Sequence, residues 1–174
     1  RDLAEMEQYF REIYELGADA VLISDLGAFS ICREAAPQLE IHISTQANNT
    51  NYKTVEAWHR LGAKRVVLAR EMSLSEIREI RDNIPNGCEL EIFMHGAMCV
   101  SYSGRCLLSN YMTARDSNYG ACSHPCRWQY ALMEEKRPGE YMPVFENERG
   151  TFIMNSKDLC MIEHIPELAA CGVS

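Results

Sequence analysis

The sequence lacks several features that define common classes of protein. No hydrophobic run approaches the roughly 18 residues of a membrane helix. The absence of a glycine fingerprint after an early strand, of a His-Glu-x-x-His helix and of a Gly-x-Ser-x-Gly turn argues against dinucleotide-binding folds, zinc proteases and serine hydrolases. Positive charge is scarce, with 17 Lys and Arg against 25 Asp and Glu and a net charge of −8. That balance argues against a general nucleic-acid coat.

The composition that is present is typical of a globular domain. Hydrophobic residues make up 47% of the 174 positions and charged residues 24%. This length suits one domain and leaves no room for a second. Because the chain opens at Arg1 and closes inside an apolar pattern at 170–174, we expect residues 1–174 to be a fragment of a single domain.

Short apolar runs rich in β-branched residues alternate with helical patterns. The predicted strands are residues 20–24, 41–45, 65–69, 89–94 and 152–155, and the first four begin 21, 24 and 24 residues apart. Predicted helices cover residues 3–16, 53–61 and 75–81. In the first of them one face is formed by Leu3, Met6, Phe10, Ile13 and Tyr14. This spacing is typical of βα units with parallel strands.

Glycines and a capping motif mark the predicted helix ends. Gly17 and Gly62 each stand between a helix and a strand, and Gly172 repeats the same junction, which implies a further βα unit. Glycine suits the residue that follows a helix, where the backbone turns left-handed. Ser73 precedes Glu76 by three residues, which is the spacing of a capping box at a helix start.

Repeated βα units close into barrels or form open sheets. Without the dinucleotide fingerprint we favour an α/β fold of the incomplete TIM-type (β/α) barrel class. The rhythm breaks between the strands at 89–94 and 152–155. We expect residues 95–150 to form a long insertion after one strand, on the barrel face that carries catalytic loops.

Polar residues follow each predicted strand, where barrel enzymes place their catalytic groups. They are Ser24, Asp25, Ser44, Thr45, Gln46, Asn48, Arg70, Glu71, His95, Asn155, Ser156, Lys157 and Asp158. The same residue types favour caps and turns, so the alternative is that about half of them are structural.

Four of the eight cysteines fall within the predicted insertion, as a Cys99-x6-Cys106 pair and a Cys122-x3-Cys126 pair. Four thiolates in tetrahedral reach select zinc or an iron–sulfur cluster. Since only the second pair has the short spacing of a zinc knuckle, iron–sulfur is favoured. Metal is also favoured over disulfides, because the chain has a sizeable apolar core. Cys160 is a reserve ligand.

The other three cysteines stand alone in helix or strand patterns. We expect Cys32, Cys88 and Cys171 to be buried as small hydrophobic side chains.

Several segments resemble the signature of the peptidase U32 family. They are EIFMHGAMCVSYSGRCLLS at 91–109, GACSHPCRW at 120–128, STQ at 44–46, AREMS at 69–73 and NSKDLC at 155–160. The family is named for a collagenase-like peptidase, yet it includes iron–sulfur proteins that hydroxylate tRNA or ribosomal RNA pyrimidines or serve ubiquinone hydroxylation. The resemblance therefore implies a 4Fe-4S cluster on Cys99, Cys106, Cys122 and Cys126.

The resemblance is strongest to the tRNA-hydroxylating branch of the family. That branch forms 5-hydroxyuridine at the wobble position, with prephenate as the implied hydroxyl source. In the quinone branch a ligand falls where this chain has Ser156, which speaks against that branch. The resemblance thus implies a cytoplasmic RNA hydroxylase with tRNA or another RNA as partner and no membrane partner.

Charge and loop position suggest roles for individual residues in such an enzyme. Glu71 and His95 are predicted proton-transfer groups, and Lys157 is a predicted catalytic cation that binds anions with Arg70. Substrate binding is predicted for Gln46, Asn48, Arg70, Arg105, Arg127 and Asp158. We expect RNA to dock near residues 95–130, whose charged residues are Arg105, Arg115, Arg127 and Asp116.

Two other functions stay open. A cysteine nucleophile paired with His95 or His124 would make a peptidase. Zinc in the cysteine site would make a binding domain for RNA or protein. A peptidase needs an activated nucleophile and an oxyanion site, and no motif supplies both, so we favour hydroxylation.

Overall fold

A computed structural model describes residues 2–99, 101, 105–128, 130–143 and 158–173. The described helices are α1 (Asp2–Glu15), α2 (Leu26–Ala35), α3 (Tyr52–Leu61), α4 (Leu74–Asn83), α5 (Leu108–Thr113) and α6 (Ile165–Ala170). The described strands are β1 (Ala20–Ile23), β2 (Glu40–Ile43), β3 (Arg65–Val67), β4 (Glu89–Glu91), β5 (His95–Ala97), β6 (Ala131–Met133), β7 (Tyr141–Pro143) and β8 (Asp158–Cys160).

The chain divides into two compact units. The first, called the sheet unit here, comprises Arg1–Met94 and Met161–Ser174. The second, called the cysteine unit, comprises His95–Cys160. Within the described part of the chain, every helix is too short or too polar to span a bilayer.

The sheet unit contains a four-stranded parallel sheet in the order β1-β2-β3-β4. Ala20 pairs with Glu40, His42 with Arg65 and Val66 with Leu90. A helix follows each of the first three strands, so consecutive βα units place neighbouring strands side by side. The predicted parallel α/β architecture is confirmed, whereas closure into a barrel stays a prediction.

The core of the sheet unit lies between the strands and the helices that connect them. Ile41, Ile43, Val66 and Leu90 are each at most 1% exposed, and Val55 of α3 is completely buried. Other helices contribute apolar side chains to the same cluster, namely Phe10, Phe29, Ile77, Ile80 and Leu168. Burial of this apolar surface is the main force that holds the helices on the sheet.

Local signals fix the helix ends. Ser73 and Glu76 form the predicted capping box at the start of α4. The Asn51 side chain accepts a hydrogen bond from the Thr54 N–H at 3.0 Å and caps α3. Gly62 ends α3 with a φ of 107°, a conformation that costs a residue with a side chain more than it costs glycine.

The structure corrects several predicted boundaries. The strand predicted at 41–45 ends at Ile43, because the Ser44 side chain accepts the Gln46 N–H and begins a short 3₁₀ turn. The strand predicted at 89–94 ends at Glu91, and the one predicted at 152–155 lies outside the described residues. The predicted apolar face of α1 is only partly right, since Leu3 is 58% exposed and Tyr14 44% exposed while Phe10 is buried.

The cysteine unit is built from short elements. Strands β5 and β8 pair antiparallel, with His95 opposite Cys160 and Ala97 opposite Asp158. Strands β6 and β7 form a second antiparallel pair. Along the chain, α5 lies between β5 and β6, as do the described 3₁₀ turns at Ser117–Tyr119 and Pro125–Arg127. Loops therefore carry most of the chemistry of this unit.

Candidate functional site

The four predicted ligand cysteines all lie in loops or turns of the cysteine unit. Cys99 follows β5, Cys106 precedes α5, and Cys122 and Cys126 lie around the 3₁₀ turn at Pro125–Arg127. Cys106 and Cys126 are buried, with 6% and 7% of their surface exposed, and Cys99 and Cys122 are half-buried. Sulfur atoms in such positions are shielded from bulk water but attached to irregular backbone.

Two of these sulfurs accept hydrogen bonds from backbone N–H groups. The N–H of Leu108 donates to Cys106 Sγ at 3.3 Å, and the N–H of His124 donates to Cys122 Sγ at 3.4 Å. In both cases the donor lies two residues after the cysteine. His124 has a φ of 54°, so the second of these turns uses a left-handed backbone. N–H donors favour the thiolate form and tune metal–sulfur centres.

Cys106 and Cys122 lie close enough to Cys126 to act on its thiol electrostatically. Burial raises the pKa of the Cys126 thiol, and the charges of Cys122 and Cys106 raise it further, while Arg127 acts in the opposite direction. No group of three or more His, Cys, Asp and Glu side chains among the described residues is arranged to hold a metal ion. The donor set has the chemistry that an iron–sulfur cluster requires, and its ligation of a cluster stays a prediction.

Buried hydroxyl groups connect the segments that carry these cysteines. Ser109, which is completely buried, lies 3.0 Å from the Ser123 hydroxyl, and Thr113 Oγ1 lies 2.7 Å from the same hydroxyl. Tyr130 Oη donates to the Pro125 carbonyl at 2.6 Å. The sequence does not signal these contacts, because a serine close to a cysteine is a common and unspecific pattern.

The remaining cysteines separate by environment. Cys32, Cys88 and Cys171 are buried in the core of the sheet unit, with exposures of 0%, 1% and 5%, which confirms the prediction for them. Cys160 is exposed and lies in β8 opposite His95. His95 was expected in a loop after a strand but lies within β5, because the chain starts a new pairing there.

The carboxyl ends of β2 and β3 carry four of the predicted site residues in the sheet unit. Gln46 and Asn48 lie in the turn after β2, and Asn48 has a left-handed φ of 66°. Arg70 and Glu71 follow β3, and the Arg70 guanidinium carbon lies 3.9 Å from the centre of the Phe93 ring. This edge of the sheet thus carries amide, guanidinium and carboxylate groups, and their role in substrate binding stays a prediction.

Asn49 is a residue of this edge that sequence analysis missed. Its side chain is completely buried, and Nδ2 donates to the Ser44 carbonyl at 2.9 Å and to the Val67 carbonyl at 2.8 Å. The backbone carbonyl of Asn49 accepts the Ala69 N–H at 3.0 Å. Asn49 therefore ties the loop after β2 to the loop after β3. The signal in the sequence is weak, since asparagine is common in loops.

Other predicted residues have structural roles or lie outside the described residues. Asp25 accepts the Ala28 N–H at 2.9 Å and caps α2, so the alternative interpretation as a cap is confirmed for it. Lys157, with Asn155 and Ser156, lies outside the described residues. The backbone of Asp158 lies in β8.

The two predicted arginine contacts of the cysteine unit differ in burial. Arg105 is exposed, and Arg127 is half-buried in the 3₁₀ turn that contains Cys126.

The sheet unit also has an apolar cavity of 210 Å³, lined by Ile92, Met94, Ile165, Leu168, Ala169 and Val173. That cavity lacks the polar groups of a catalytic centre.

Together, the parallel βα sheet and the separate unit with four loop cysteines define an α/β protein with a cysteine-based candidate centre. The chain belongs to peptidase family U32, whose sequence pattern matches residues 1–174. No solved structure matches the chain.

Curated relatives support this assignment. The chain is 41% identical over 212 residues to tRNA hydroxylation protein P of Escherichia coli, a match that covers 98% of this chain and 47% of the relative. It is 42% identical over 168 residues to tRNA hydroxylation protein P1 of Bacillus subtilis, covering 97% of this chain and 39% of the relative. A 23S rRNA 5-hydroxycytidine synthase of Escherichia coli is 33% identical over 135 residues, covering 78% and 20%. The chain spans less than half the length of these relatives.

Proposed function

We propose that this chain is part of a cytoplasmic iron–sulfur enzyme that hydroxylates a tRNA uridine to 5-hydroxyuridine, with prephenate as the hydroxyl donor. Two relatives named for tRNA hydroxylation match 97% and 98% of the chain. A third is named as a 5-hydroxycytidine synthase acting on ribosomal RNA. Hydroxylation of RNA is the chemistry that these names share, and it supports an RNA substrate for this chain.

The chemistry of the reaction explains why a redox group belongs in the enzyme. Replacing the hydrogen at C5 of uridine by a hydroxyl group removes two electrons from the base. Either the hydroxyl donor or an electron carrier must accept those electrons. An iron–sulfur cluster, when bound, supplies one-electron chemistry that no amino-acid side chain provides as readily.

The observation that carries the proposal is that Cys106, Cys122 and Cys126 lie in loops and turns of one unit, where two of their sulfurs accept backbone N–H groups. Burial raises the pKa of the Cys126 thiol and so disfavours its thiolate form. The N–H groups of Leu108 and His124 point at two of the sulfurs and favour the thiolate, which is the form that binds metal. Together with Cys99, these residues would hold a 4Fe-4S cluster.

The sheet unit supports the substrate side of the proposal. The strand order β1-β2-β3-β4 with intervening helices is the order of neighbouring units in a TIM-type barrel, whose carboxyl-end loops bind substrates. Gln46, Asn48 and Arg70 would bind an anionic substrate there, and Glu71 would transfer a proton. The roles predicted for the remaining residues form part of the same proposal, namely His95, Lys157, Arg105, Arg127 and Asp158.

The test uses the complete protein, purified without oxygen. We expect stoichiometric iron and sulfide in the wild type, loss of both in Cys106→Ala, and loss of 5-hydroxyuridine from the tRNA of cells that carry this variant. Cys32→Ala, a change in the core of the sheet unit, is the matched control and should keep the cluster.

Two outcomes would overturn the proposal in different ways. A colourless wild type with stoichiometric zinc, and unchanged tRNA in the Cys106→Ala strain, would favour a zinc-stapled binding domain. Cleavage of collagen or peptides that one Cys→Ala change abolishes without loss of metal would favour the peptidase.

A further inference from the structure

The cysteine unit exposes two tyrosines within one short segment, residues 111–119. Tyr111 is 88% exposed and Tyr119 is 85% exposed. By comparison, Tyr9 and Tyr141 are 58% and 69% exposed. Aromatic rings normally bury a large area against neighbouring side chains. Both rings of the 111–119 segment instead present nearly all of their surface to the surroundings.

The 111–119 segment comprises the end of α5 and the 3₁₀ turn at Ser117–Tyr119, and local hydrogen bonds link the two. The Ala114 N–H donates to the Asn110 carbonyl at 2.8 Å, and Ala114 has a left-handed φ of 54°. Asn110 Nδ2 then contacts the Asp116 carboxylate at 3.5 Å. Tyr111 and Tyr119 therefore stand at the two ends of one locally hydrogen-bonded segment that contains Arg115.

The segment carries one cation, Arg115, and one carboxylate, Asp116, and it lies within residues 95–130, whose formal charge is +2. Arg115 is exposed and makes no hydrogen bond or ion pair with another described residue. The neighbouring carboxylate of Asp116 accepts hydrogen bonds from the Asn118 N–H at 2.8 Å and from Asn110, so it is engaged within the segment. In a chain of net charge −8, this is a place where a polyanion meets a local cation.

We propose that the 111–119 segment is a docking surface for unpaired RNA, on which Tyr111 and Tyr119 stack against bases and Arg115 contacts a phosphate. Exposed aromatic rings flanking a cation form the combination that binds single-stranded nucleic acid, because every base has a face that stacks. The inference rests on the proposed function, since it takes the RNA substrate from there and adds the surface that holds it.

The experiment measures binding by the complete protein of an unmodified transcript of a tRNA with uridine at the wobble position. We expect Tyr111→Ala and Tyr119→Ala each to weaken the Kd about fivefold or more, as the loss of one stacked base predicts. Tyr111→Phe and Tyr119→Phe keep the ring and should bind like the wild type. Arg115→Ala should lower the slope of log Kd against log salt by about one.

The matched control is Tyr141→Ala, which removes an exposed tyrosine from β7 of the same unit. It should bind the transcript within about twofold of the wild type, a change smaller than one stacking contact. Wild-type affinity in both alanine variants, while the wild type still hydroxylates tRNA, would overturn the docking surface and leave the proposed function standing. Weakened binding in these variants of a protein that binds tRNA without hydroxylating it would support the surface and overturn the proposed function.

Discussion

The completely buried Ser109 hydroxyl accepts a hydrogen bond from the Ser123 backbone N–H at 3.0 Å. Ser109 lies three residues after Cys106, and Ser123 directly follows Cys122. This one contact therefore joins the segment of the first cysteine pair to the segment of the second. Since metal sites depend on the groups that orient their ligands, we expect this contact to support the proposed cluster.

Replacing Ser109 by alanine would leave the partly buried Ser123 N–H without its partner. We expect Ser109→Ala to lower the free energy of unfolding by about 1–3 kcal/mol and to reduce the iron content of the anaerobically purified protein. Ser30→Ala, at an exposed position of α2, is the control and should change neither quantity. Full iron content in Ser109→Ala would show that the hydroxyl does not support the cysteine site.

A second support of the cysteine site is the hydrogen bond from Tyr130 Oη to the Pro125 carbonyl. Burial raises the pKa of Tyr130, and the negative charge of Cys126 adds to that effect, so the hydroxyl keeps its proton and its role as donor in alkaline solution. We expect Tyr130→Phe to lose about 1 kcal/mol of stability. Tyr141→Phe, at an exposed position, should lose none. Equal urea midpoints for Tyr130→Phe and the wild type would contradict this expectation.

The parallel sheet could be predicted because its signals are local. Gly17, Gly62 and Gly172 each show the left-handed backbone expected at the end of a helix. The capping box of Ser73 and Glu76 is also predictable from the sequence, since both partners lie within one helical turn. No bounds were predicted for the helix at Leu26–Ala35, because Gly27 and the β-branched Ile31 weaken its pattern.

The details of the candidate sites depend on contacts between distant residues and could not be predicted. The pairing of His95 with Cys160 joins residues far apart in the chain, and no periodicity signals it. The Asn49 amide donates to the Ser44 and Val67 carbonyls, and only the folded sheet brings these two carbonyls to the same amide group. The polar residues that follow β2 and β3 could be listed from the strand pattern, but the sequence does not single out Asn49, which links the two loops.

A substitution of Asn49 tests whether its side-chain amide holds the loops after β2 and β3 together. Both hydrogens of its amide face carbonyl oxygens, so an aspartate in its place would set a buried carboxylate against two acceptors. We expect Asn49→Asp to lower the free energy of unfolding by about 3 kcal/mol or more. Asn48→Asp makes the same change at the adjacent exposed position and should cost far less. Similar urea midpoints for the two variants would show that the Asn49 amide does not hold the two loops together.

The amino ends of β3 and β4 carry an ionic cluster that predicts a pH dependence. The hydrogen bond from Arg65 lowers the pKa of Glu89 below its usual value, and the hydrogen bond from Lys64 adds to the effect. A carboxylate with a lowered pKa in the folded state adds stability above its unfolded pKa of about 4.3, and this stability disappears as the pH falls through the folded pKa. Because the Glu89 side chain is 37% exposed, solvent screening limits the effect to less than about 1 kcal/mol.

Glu89→Gln should therefore be less stable than the wild type near neutral pH, and the difference should vanish in acid below the folded pKa. Urea unfolding at several pH values measures this. Glu79→Gln changes an exposed glutamate of α4 and serves as the control. A Glu89→Gln deficit that persists unchanged in acid would show that the side chain acts through packing and not through its charge.

The stacking of Arg70 on Phe93 makes a prediction for substrate binding. The guanidinium carbon lies 3.9 Å from the ring centre, so the ring restricts the orientation of the cation at the carboxyl end of β3. If prephenate is the hydroxyl donor, as proposed, we expect Phe93→Leu, which keeps an apolar contact without an aromatic face, to raise the KM for prephenate about two- to fivefold with little change in kcat, as the loss of roughly 0.5–1 kcal/mol implies. Phe93→Tyr keeps the face and should resemble the wild type. If Phe93→Leu lowers kcat and leaves KM unchanged, the ring supports the chemical step and Arg70 does not bind the donor.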